Sequence, residues 1–432
     1  MKKILKKLAP SPKPGKDIPV EAGLYPYMRE RDGEMIRFHL RVEPDGRGLL
    51  LANAAGTVRL NPPGVVMVKN ILEDKPDEEI VSRVEKAFKG ASPSEIKKDL
   101  ESVKSVIQSL LKPCGEFPVV NMDDEALSPH ALRLMAPFSA DIPFGEPETM
   151  EKIIQNLWEA GVPNITIHYY PPGDSSQLIR VVEKAEDLGM IAGVRARASD
   201  LVSDSLARDL AMAGVDYIET LYVSHNSEIH DSWCGKGDRE NAERIFQTWR
   251  ELEVCPTAVI PLTEKNIDEL EITIERLRKT GVRNFSCFAI AAPDDWEEEK
   301  AGHSLRASSL PQAAAMVEEI SEEENTRFIW LPPVKRNPAV SFREQLLRGP
   351  RCSGDFAIRV EADGSVIPAR GPDISAGNIL NDAWKQLWKN EAFNIFRKKL
   401  KEPDRCETCP GLALCAAACP RDESGWARYE KD

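Results

Sequence analysis

The chain has 432 residues, 42% of them hydrophobic and 29% charged, which is enough to bury a sizeable core over two or three domains. The formal net charge of −13 argues against a general nucleic-acid-binding surface. No apolar run reaches the length of a membrane span, and the basic segment MKKILKKLAPSPKPGKDIPV lacks the apolar stretch of a secretory signal. We therefore expect a cytoplasmic protein that binds neither nucleic acid nor membranes, with its nine cysteines free or metal-bound.

Residues 1–36 are expected to form an N-terminal arm, and residues 37–118 a small domain. Alternating or clustered apolar residues predict short strands over RFHLRV (Arg37–Val42), GLLLANA (Gly48–Ala54) and VRLN (Val58–Asn61). Apolar residues at helical spacing predict three helices, over Pro63–Leu72, Pro76–Phe88 and Ser94–Leu111. This combination is typical of a winged-helix-like unit.

Residues 130–333 alternate between strand-like and helix-like segments. The predicted strands are ALRLMAP, NITIHYY, MIAGVRA, DYIETLYVS, CPTAVIP and NFSCFAIA, each followed by an amphipathic helix. Continuous β–α alternation indicates the α/β class with a parallel sheet, and about six repeats predict a partial (β/α)6 TIM-like barrel. In such barrels the chemistry lies at the carboxyl ends of the strands.

Five side chains fall at the ends of the second and third predicted barrel strands: His168, Tyr169, Tyr170, Arg195 and Arg197. We expect them to face the mouth of the barrel. Two interpretations are open: the residues only fill the mouth and pair with neighbouring acids, or the arginines form a pocket that binds an anion such as a carboxylate or phosphate. His225 and His230 follow the fourth strand, and residue type alone would allow them to form a zinc site with His168.

The last zone, residues 351–432, contains five cysteines: Cys352, Cys406, Cys409, Cys415 and Cys419. The final four form the pattern Cys-x2-Cys-x5-Cys-x3-Cys, and thiolates at this spacing converge readily on one metal centre. An iron–sulfur cluster and a structural zinc ion both fit, because spacing alone does not select iron over zinc. A relic site without metal is the third interpretation.

Three of the remaining cysteines lie between residues 200 and 300. Cys255 and Cys287 fall within apolar strand segments, so we expect them to be small buried residues. Cys234 lies in HDSWCGKG, which we interpret as a loop in which the thiol could be exposed.

The order of these motifs resembles the radical S-adenosylmethionine (SAM) proteins that carry a C-terminal SPASM extension, preceded by a PqqD-like peptide-recognition domain. The phrase LNPPGVVMVKNILEDKPDEEIVSRV and the helix over SPSEIKKDLESVKSVI resemble the PqqD-like fold. The SPASM-like features are Cys352, the hairpin from Gly364, the segment Gly377-Asn378-Ile379, Trp384, Trp388 and the terminal cysteines. The resemblance covers nearly the whole chain and implies a partial barrel of the radical SAM type between the two ends.

The chain departs from this family where SAM would bind. Radical SAM barrels carry Cys-x3-Cys-x2-Cys after the first strand, but here the region reads LMAPFSADIPFGEP, and no cysteine lies between Cys114 and Cys234. The stretch from Tyr169 to Asp174 replaces a glycine-rich segment, and Arg195-Ala196-Arg197 replaces a Thr-Asn-Gly turn. The resemblance thus implies a degenerate member, for which SAM is not an expected cofactor.

The SPASM-like tail is also incomplete. The full motif supplies two four-iron clusters, but here the hairpin position is Ala369 and no cysteine follows Cys419. One 4Fe–4S cluster remains feasible, held by Cys406, Cys409 and Cys415 together with either Cys419 or Cys352.

The resemblance implies a catalytically degenerate iron–sulfur protein that binds a peptide or protein partner through its N-terminal domain. An active radical SAM homologue is one candidate partner. The protein would assist peptide modification or cofactor maturation, with its cluster passing electrons or stabilising the fold. Two alternatives are an atypical enzyme with a rebuilt, non-SAM active site at the barrel mouth and a zinc-stabilised binding scaffold.

Overall fold

A computed structural model describes residues 19–31, 34–52, 56–88, 90, 92–110, 134–170, 174–324, 326–331, 333–349, 357–367 and 374–393. The chain divides into two compact units, Met1–Asn121 and Met122–Asp432. None of the helices within the described ranges combines the length and apolar character needed to cross a bilayer.

The first unit consists of an antiparallel sheet followed by helices. Its strands, in sheet order, are β1 (Gly23–Arg31), β2 (Glu34–Val42), β3 (Gly48–Ala52) and β4 (Gly56–Leu60). The helices are α1 (Pro62–Leu72), α2 (Asp77–Ala87) and α3 (Pro93–Leu110). Asn61 caps α1, because its side-chain oxygen accepts a hydrogen bond from the backbone N–H of Gly64 at 2.8 Å.

One face of this small sheet packs on the three helices. The shared core includes Phe38, Leu40, Val65, Ile80 and Leu100, all at most 1% exposed. The strands and helices predicted for this domain are therefore present with shifts of one to three residues at most of their ends.

The predicted N-terminal arm is too long, because β1 lies inside it. β1 pairs with β2 from Gly23–Val42 through to Arg31–Glu34. Pro26 obscures this strand in the sequence, since proline has no backbone N–H to donate to a ladder. It is tolerated here because β1 is an edge strand of the sheet.

The second unit is a parallel sheet with helices on one face. Its strands are β5 (Ser139–Pro143), β6 (Asn164–His168), β7 (Ile191–Ala196), β8 (Tyr217–Leu221), β9 (Cys255–Leu262), β10 (Asn284–Ala292), β11 (Leu305–Arg306), β12 (Arg327–Trp330), β13 (Val334–Lys335), β14 (Ala357–Val360) and β15 (Val366–Ile367). Its helices are α4 (Pro147–Ala160), α5 (Ser175–Asp187), α6 (Asp204–Met212), α7 (Ser227–Cys234), α8 (Asp238–Glu251), α9 (Leu270–Lys279), α10 (Glu298–Ala301), α11 (Leu310–Glu323), α12 (Phe342–Arg348) and α13 (Trp384–Leu387).

Strands β5 to β10 are adjacent in chain order and parallel, as a partial barrel requires. β11, β12 and β13 all pair with β10, and β14 lies on the far side of β5. The predicted α/β class and six-strand partial barrel are confirmed. The described part of residues 351–432 is not separate from the barrel, because β14 extends its sheet.

The first barrel strand is not ALRLMAP but the following segment, SADIP. The carbonyls of Leu134 and Met135 accept hydrogen bonds from the indole N–H groups of Trp388 and Trp384, at 2.7 and 2.9 Å. These two residues precede β5 and anchor the C-terminal segment. Both predicted SPASM-like tryptophans therefore contact the start of the barrel.

Candidate functional site

The six parallel strands have an apolar face and a polar face. Ala140, Ile142, Ile165 and Ile167 belong to the same core cluster as residues of the surrounding helices. Alternate residues of the same strands are also buried but polar, and they face the barrel interior. These residues are Asp141, Asn164, Thr166, His168, Thr257, Asn284 and Ser286.

Tyr217, the first residue of β8, packs inside the barrel near the amino-terminal ends of the strands. Its ring lies over Gly193, where an added Cβ would approach the ring to 2.1 Å. Its hydroxyl donates to Asn164 Oδ1 at 3.0 Å and lies 2.8 Å from the Thr166 hydroxyl. The Tyr217 side chain therefore fills part of the interior at this end of the strands.

His168 is the last residue of β6, and its side chain is buried in the barrel. It is 2% exposed, and its Nε2 lies 3.6 Å from Asp141 Oδ1, which is beyond hydrogen-bond distance. Burial lowers the pKa of His168, the carboxylate of Asp141 opposes this shift, and Arg195 and Arg359 reinforce it. The imidazole is therefore neutral near pH 7.

The two strand-end arginines already have acidic partners. Arg195 Nε donates to Glu219 Oε2 on the neighbouring strand at 2.6 Å. Arg197 makes a two-pronged contact with Asp200, Nε to Oδ2 at 2.8 Å and Nη2 to Oδ1 at 3.0 Å. Pairing with local acids, the alternative to anion binding, is therefore present at both positions.

The side chains of the two tyrosines after β6 lie in different environments. Tyr169 is 5% exposed, belongs to the helix-side core and contacts the ring of Phe144, with ring centres 5.4 Å apart. Tyr170 lies on the mouth side, where its hydroxyl donates to the carbonyl of Leu347 in α12 at 3.2 Å. Burial raises the pKa of Tyr170, so its phenol remains protonated.

A shallow recess opens at the mouth of the barrel. It is lined by Tyr170, Arg195, Ala196, Arg197, Leu221, Val259, Phe288, Leu346, Leu347, Arg348 and Gly349. Three of the five predicted pocket residues therefore meet at one recess, whereas His168 and Tyr169 are not in its lining. The sequence analysis missed the contribution of α12, because these residues follow β6 by more than 170 positions.

A second cluster, His230, Cys234 and Asp238, was not predicted as a unit. All three are buried, and their potential ligand atoms lie within 4.8 Å of one another. The spacing could have indicated the pairing of His230 and Cys234, which lie four residues apart on one face of α7. Cys234 is the last residue of this helix and 5% exposed, so the prediction of an exposed loop is wrong.

The hydrogen bonds of His230 argue against a metal ion in this cluster. The backbone N–H of Val223 donates to Nδ1 at 3.1 Å, so the ring proton is on Nε2, 3.2 Å from Asp238 Oδ2. A metal ion would need the Nε2 lone pair. Burial also raises the pKa of the Cys234 thiol well above its usual range, which disfavours the thiolate.

The zinc site that residue type alone would allow for His168, His225 and His230 does not form among the described residues. His168 lies beside Asp141, His230 beside Asp238, and His225 Nδ1 lies 3.2 Å from the Thr273 hydroxyl. Each histidine thus has its own local partner. Cys255 and Cys287 are fully buried in strands, as predicted.

The predicted metal ligands Cys352, Cys406, Cys409, Cys415 and Cys419 lie outside the described residues. The neighbouring SPASM-like elements are described. β14 and β15 form an antiparallel hairpin, and the Asn378 side-chain amide donates to the carbonyl of Asp363 at 2.7 Å. Trp384 and Trp388 stack with ring centres 5.5 Å apart.

The connection after the first barrel strand is short. Only Phe144, Gly145 and Glu146 separate β5 from α4, and none of them is a cysteine. The motif Cys-x3-Cys-x2-Cys is longer than this connection. The residues present at this position therefore do not fit the three thiolate ligands of a SAM-binding cluster.

Comparison with protein families gives one match. Residues 352–410 match the SPASM family, described as an iron–sulfur cluster-binding domain. This range includes Cys352, Cys406 and Cys409 and ends before Cys415 and Cys419. A comparison with curated protein sequences finds no match.

Solved structures with a similar fold include Streptococcus suis SuiB bound to precursor peptide SuiA. The two chains share 13% identity and a TM-score of 0.55, over 91% of this chain and 95% of SuiB. SuiB bound to S-adenosylmethionine gives 13% identity and a TM-score of 0.54, with the same coverage. Native anSMEcpe with bound AdoMet and Cp18Cys peptide is more distant, with 15% identity and a TM-score of 0.47 over 67% of this chain and 92% of that chain.

The fold match to SuiB agrees with the barrel, and the SPASM match includes the anchoring residues Trp384 and Trp388. The resemblance inferred from the sequence is confirmed at the level of fold and of the SPASM region. Residues 352–410 therefore match the SPASM family, and the chain shares its fold with the solved structures of SuiB.

Proposed function

We propose that this protein is a catalytically degenerate radical SAM/SPASM-like protein that binds a peptide or protein partner and retains one auxiliary 4Fe–4S cluster. In this role it assists peptide modification or cofactor maturation rather than cleaving SAM. The observation that carries the proposal is the three-residue connection Phe144–Glu146, which has no cysteine and directly precedes α4.

The rest of the barrel mouth supports the same proposal. The glycine-rich segment of active barrels is replaced after β6 by a stretch that begins with Tyr169 and Tyr170, and the ring of Tyr170 lies on the mouth side, where glycines would permit close backbone approach. Tyr170 is tied to Leu347 of α12, which occupies part of the mouth. A SAM molecule would have to displace these contacts.

The donor set of the C-terminal segment supports one retained cluster. Cys406, Cys409 and Cys415, with Cys419 or Cys352, supply the four thiolates that one such cluster requires. When bound, the cluster would supply one-electron transfer or a rigid cross-link. The chain itself contributes the anchors Trp384 and Trp388, which hold the segment against the start of the barrel.

Peptide binding is supported by the open edge of the small sheet. β1 pairs only with β2 among the described strands, so its other edge can accept an extended segment by β-augmentation. Met28, 48% exposed, offers an apolar contact on this edge strand. SuiB, which shares the fold, has been solved with a precursor peptide.

The main test is metal analysis of anaerobically purified protein combined with an assay for SAM cleavage. We expect about four irons with matching sulfide per chain, and no 5′-deoxyadenosine when SAM and dithionite are added. The iron should be lost in the double variant Cys406→Ser/Cys409→Ser and kept in the matched control Cys114→Ser. SAM-dependent 5′-deoxyadenosine formation would refute degeneracy, and one zinc without sulfide would favour the zinc-stabilised scaffold.

The partner component needs its own test. A random peptide library selected on the full chain would supply probe peptides, which should slow amide hydrogen exchange in β1. A Met28→Lys variant should weaken these peptides, whereas Met212→Lys, which changes an exposed methionine of α6, should not. Protection confined to the second unit would contradict binding at this edge.

A further inference from the structure

The barrel-mouth recess combines a cationic rim with an apolar wall, and the proposed function leaves it unused. We propose that it binds a small organic carboxylate with an apolar body, such as an N-acylated hydrophobic amino acid. The proposal depends neither on the cluster nor on partner binding. It follows from three features of the lining: a positioned guanidinium, three arginines with no carboxylate among the lining residues, and several apolar side chains.

Arg197 is the positioned guanidinium. Its Nε and Nη2 both bind the carboxylate of Asp200, which is 8% exposed, so the plane of the guanidinium is fixed. Among the described residues nothing else accepts from Arg197, which leaves the two N–H groups of Nη1 for a ligand. With 32% of its side chain exposed, Arg197 remains accessible from the recess.

The lining carries positive charge without compensating carboxylates of its own. Arg195, Arg197 and Arg348 all line the recess. Their acidic partners, Glu219, Asp200 and Glu344, do not. An anion in the recess would therefore contact guanidinium groups and no carboxylate of the lining.

The apolar residues of the lining favour a ligand with an apolar group. They are Leu221, Val259, Phe288, Leu346 and Leu347. These side chains would contact an aromatic or branched aliphatic group, and burying it would contribute binding free energy that an inorganic anion does not gain.

The first experiment compares three probes by isothermal titration calorimetry on the full chain. N-acetyl-L-phenylalanine should bind, and its uncharged amide should bind at least about tenfold more weakly, since it lacks the charge-assisted hydrogen bonds. Inorganic phosphate should bind more weakly than the acid. Equal binding of acid and amide, or no saturation by the acid up to about 10 mM, would overturn the proposal.

The carboxylate could belong to a free molecule or to the C-terminus of a peptide. A six-residue peptide ending in phenylalanine, compared as acid and amide, separates these sources. Preference for the peptide acid over N-acetyl-L-phenylalanine assigns the recess to a peptide C-terminus, and the reverse assigns it to a free metabolite. Both results support a carboxylate subsite.

Variants locate the binding. Arg197→Gln should weaken the acid at least about tenfold while leaving the weak amide binding unchanged. The matched control Arg180→Gln, on the exposed face of α5 beside Glu148 and Glu151, should bind like the wild type. Leu347→Asn tests the apolar wall independently and should weaken acid and amide alike. Wild-type affinity in Arg197→Gln would refute the assigned site.

Discussion

The hydroxyl of Tyr170 donates a hydrogen bond to the backbone carbonyl of Leu347 at 3.2 Å. This bond joins the end of β6 to α12 across the mouth of the barrel. Leu346, Leu347 and Arg348 of α12 all line the recess, and Leu346 is also fully buried, so α12 is both a core helix and part of the mouth. Any ligand that reaches the strand ends must fit beside this bond.

Removing the bond should loosen α12 locally. Tyr170→Phe deletes one neutral hydrogen bond, so we expect a loss of about 1 kcal/mol in the free energy of unfolding and faster amide exchange in α12. Hydrogen-exchange mass spectrometry over residues 342–348 checks this. The control Tyr25→Phe deletes a similar bond to the Glu21 carbonyl in the first unit. Equal exchange in both variants would contradict the role of Tyr170.

The pair formed by Arg195 and Glu219 should be important for stability. Both side chains are only 13–14% exposed, so Glu219→Ala leaves a largely buried guanidinium without its carboxylate. We expect a loss of about 3 kcal/mol, the lower end for breaking a buried pair. Denaturant unfolding measures it.

The pair formed by Arg348 and Glu344 provides the matched control. It lies on the surface of α12, with side chains 66% and 48% exposed. Glu344→Ala should therefore change the free energy of unfolding by less than about 1 kcal/mol. If both alanine variants lost the same stability, burial of the Arg195 pair would not be the cause.

Lowering the pH should reduce the free energy of unfolding, because the pKa of the buried His168 is lowered in the folded protein. Its pKa is lowered in the folded protein by burial, with Arg195 and Arg359 reinforcing the shift and Asp141 opposing it. The unfolded chain therefore binds the proton first as the pH falls below about 6.5, and stability drops until the folded-state pKa is passed. His168→Gln should flatten this part of the stability–pH curve.

Unfolding midpoints in urea between about pH 7.5 and 5 test this dependence. An unchanged slope in His168→Gln would show that other groups carry the acid sensitivity.

The tryptophan anchors should couple the C-terminal segment to the barrel. Trp388→Phe removes the donor to the Leu134 carbonyl, which we expect to cost about 1–2 kcal/mol. Trp296→Phe, on the acidic loop before α10, should stay within about 0.5 kcal/mol of wild type. Thermal unfolding compares the two, and a similar change in both would argue against anchoring.

The sequence predicts helix positions well where capping and amphipathic signals coincide. α1 begins one residue before its predicted start, because Asn61 and the following prolines define its first turn. β1 and β5 are harder to predict. Pro26 makes β1 hard to recognise as a strand. For β5, the neighbouring segment ALRLMAP is more apolar and therefore the more obvious strand candidate. The position of β5 is fixed instead by its pairing with β6 and β14.

For the candidate site, the strand-end residues could be predicted from the sequence, whereas their tertiary partners could not. Arg195, Arg197 and Tyr170 were predicted at the mouth because strand ends in a parallel barrel converge there. Their partners depend on tertiary contacts: Leu347 belongs to α12, and Glu219 is known as the partner of Arg195 only from strand register. Cys234 was placed in a loop because its helix is short and ends at Gly235.

Gly193 leaves the space inside the barrel that the ring of Tyr217 fills. A single methyl group at position 193 would displace the phenol and remove its bonds to Asn164 and Thr166. Gly193 is not in the lining of the recess at the mouth, yet its missing side chain decides which residue fills the interior at the start of the strands.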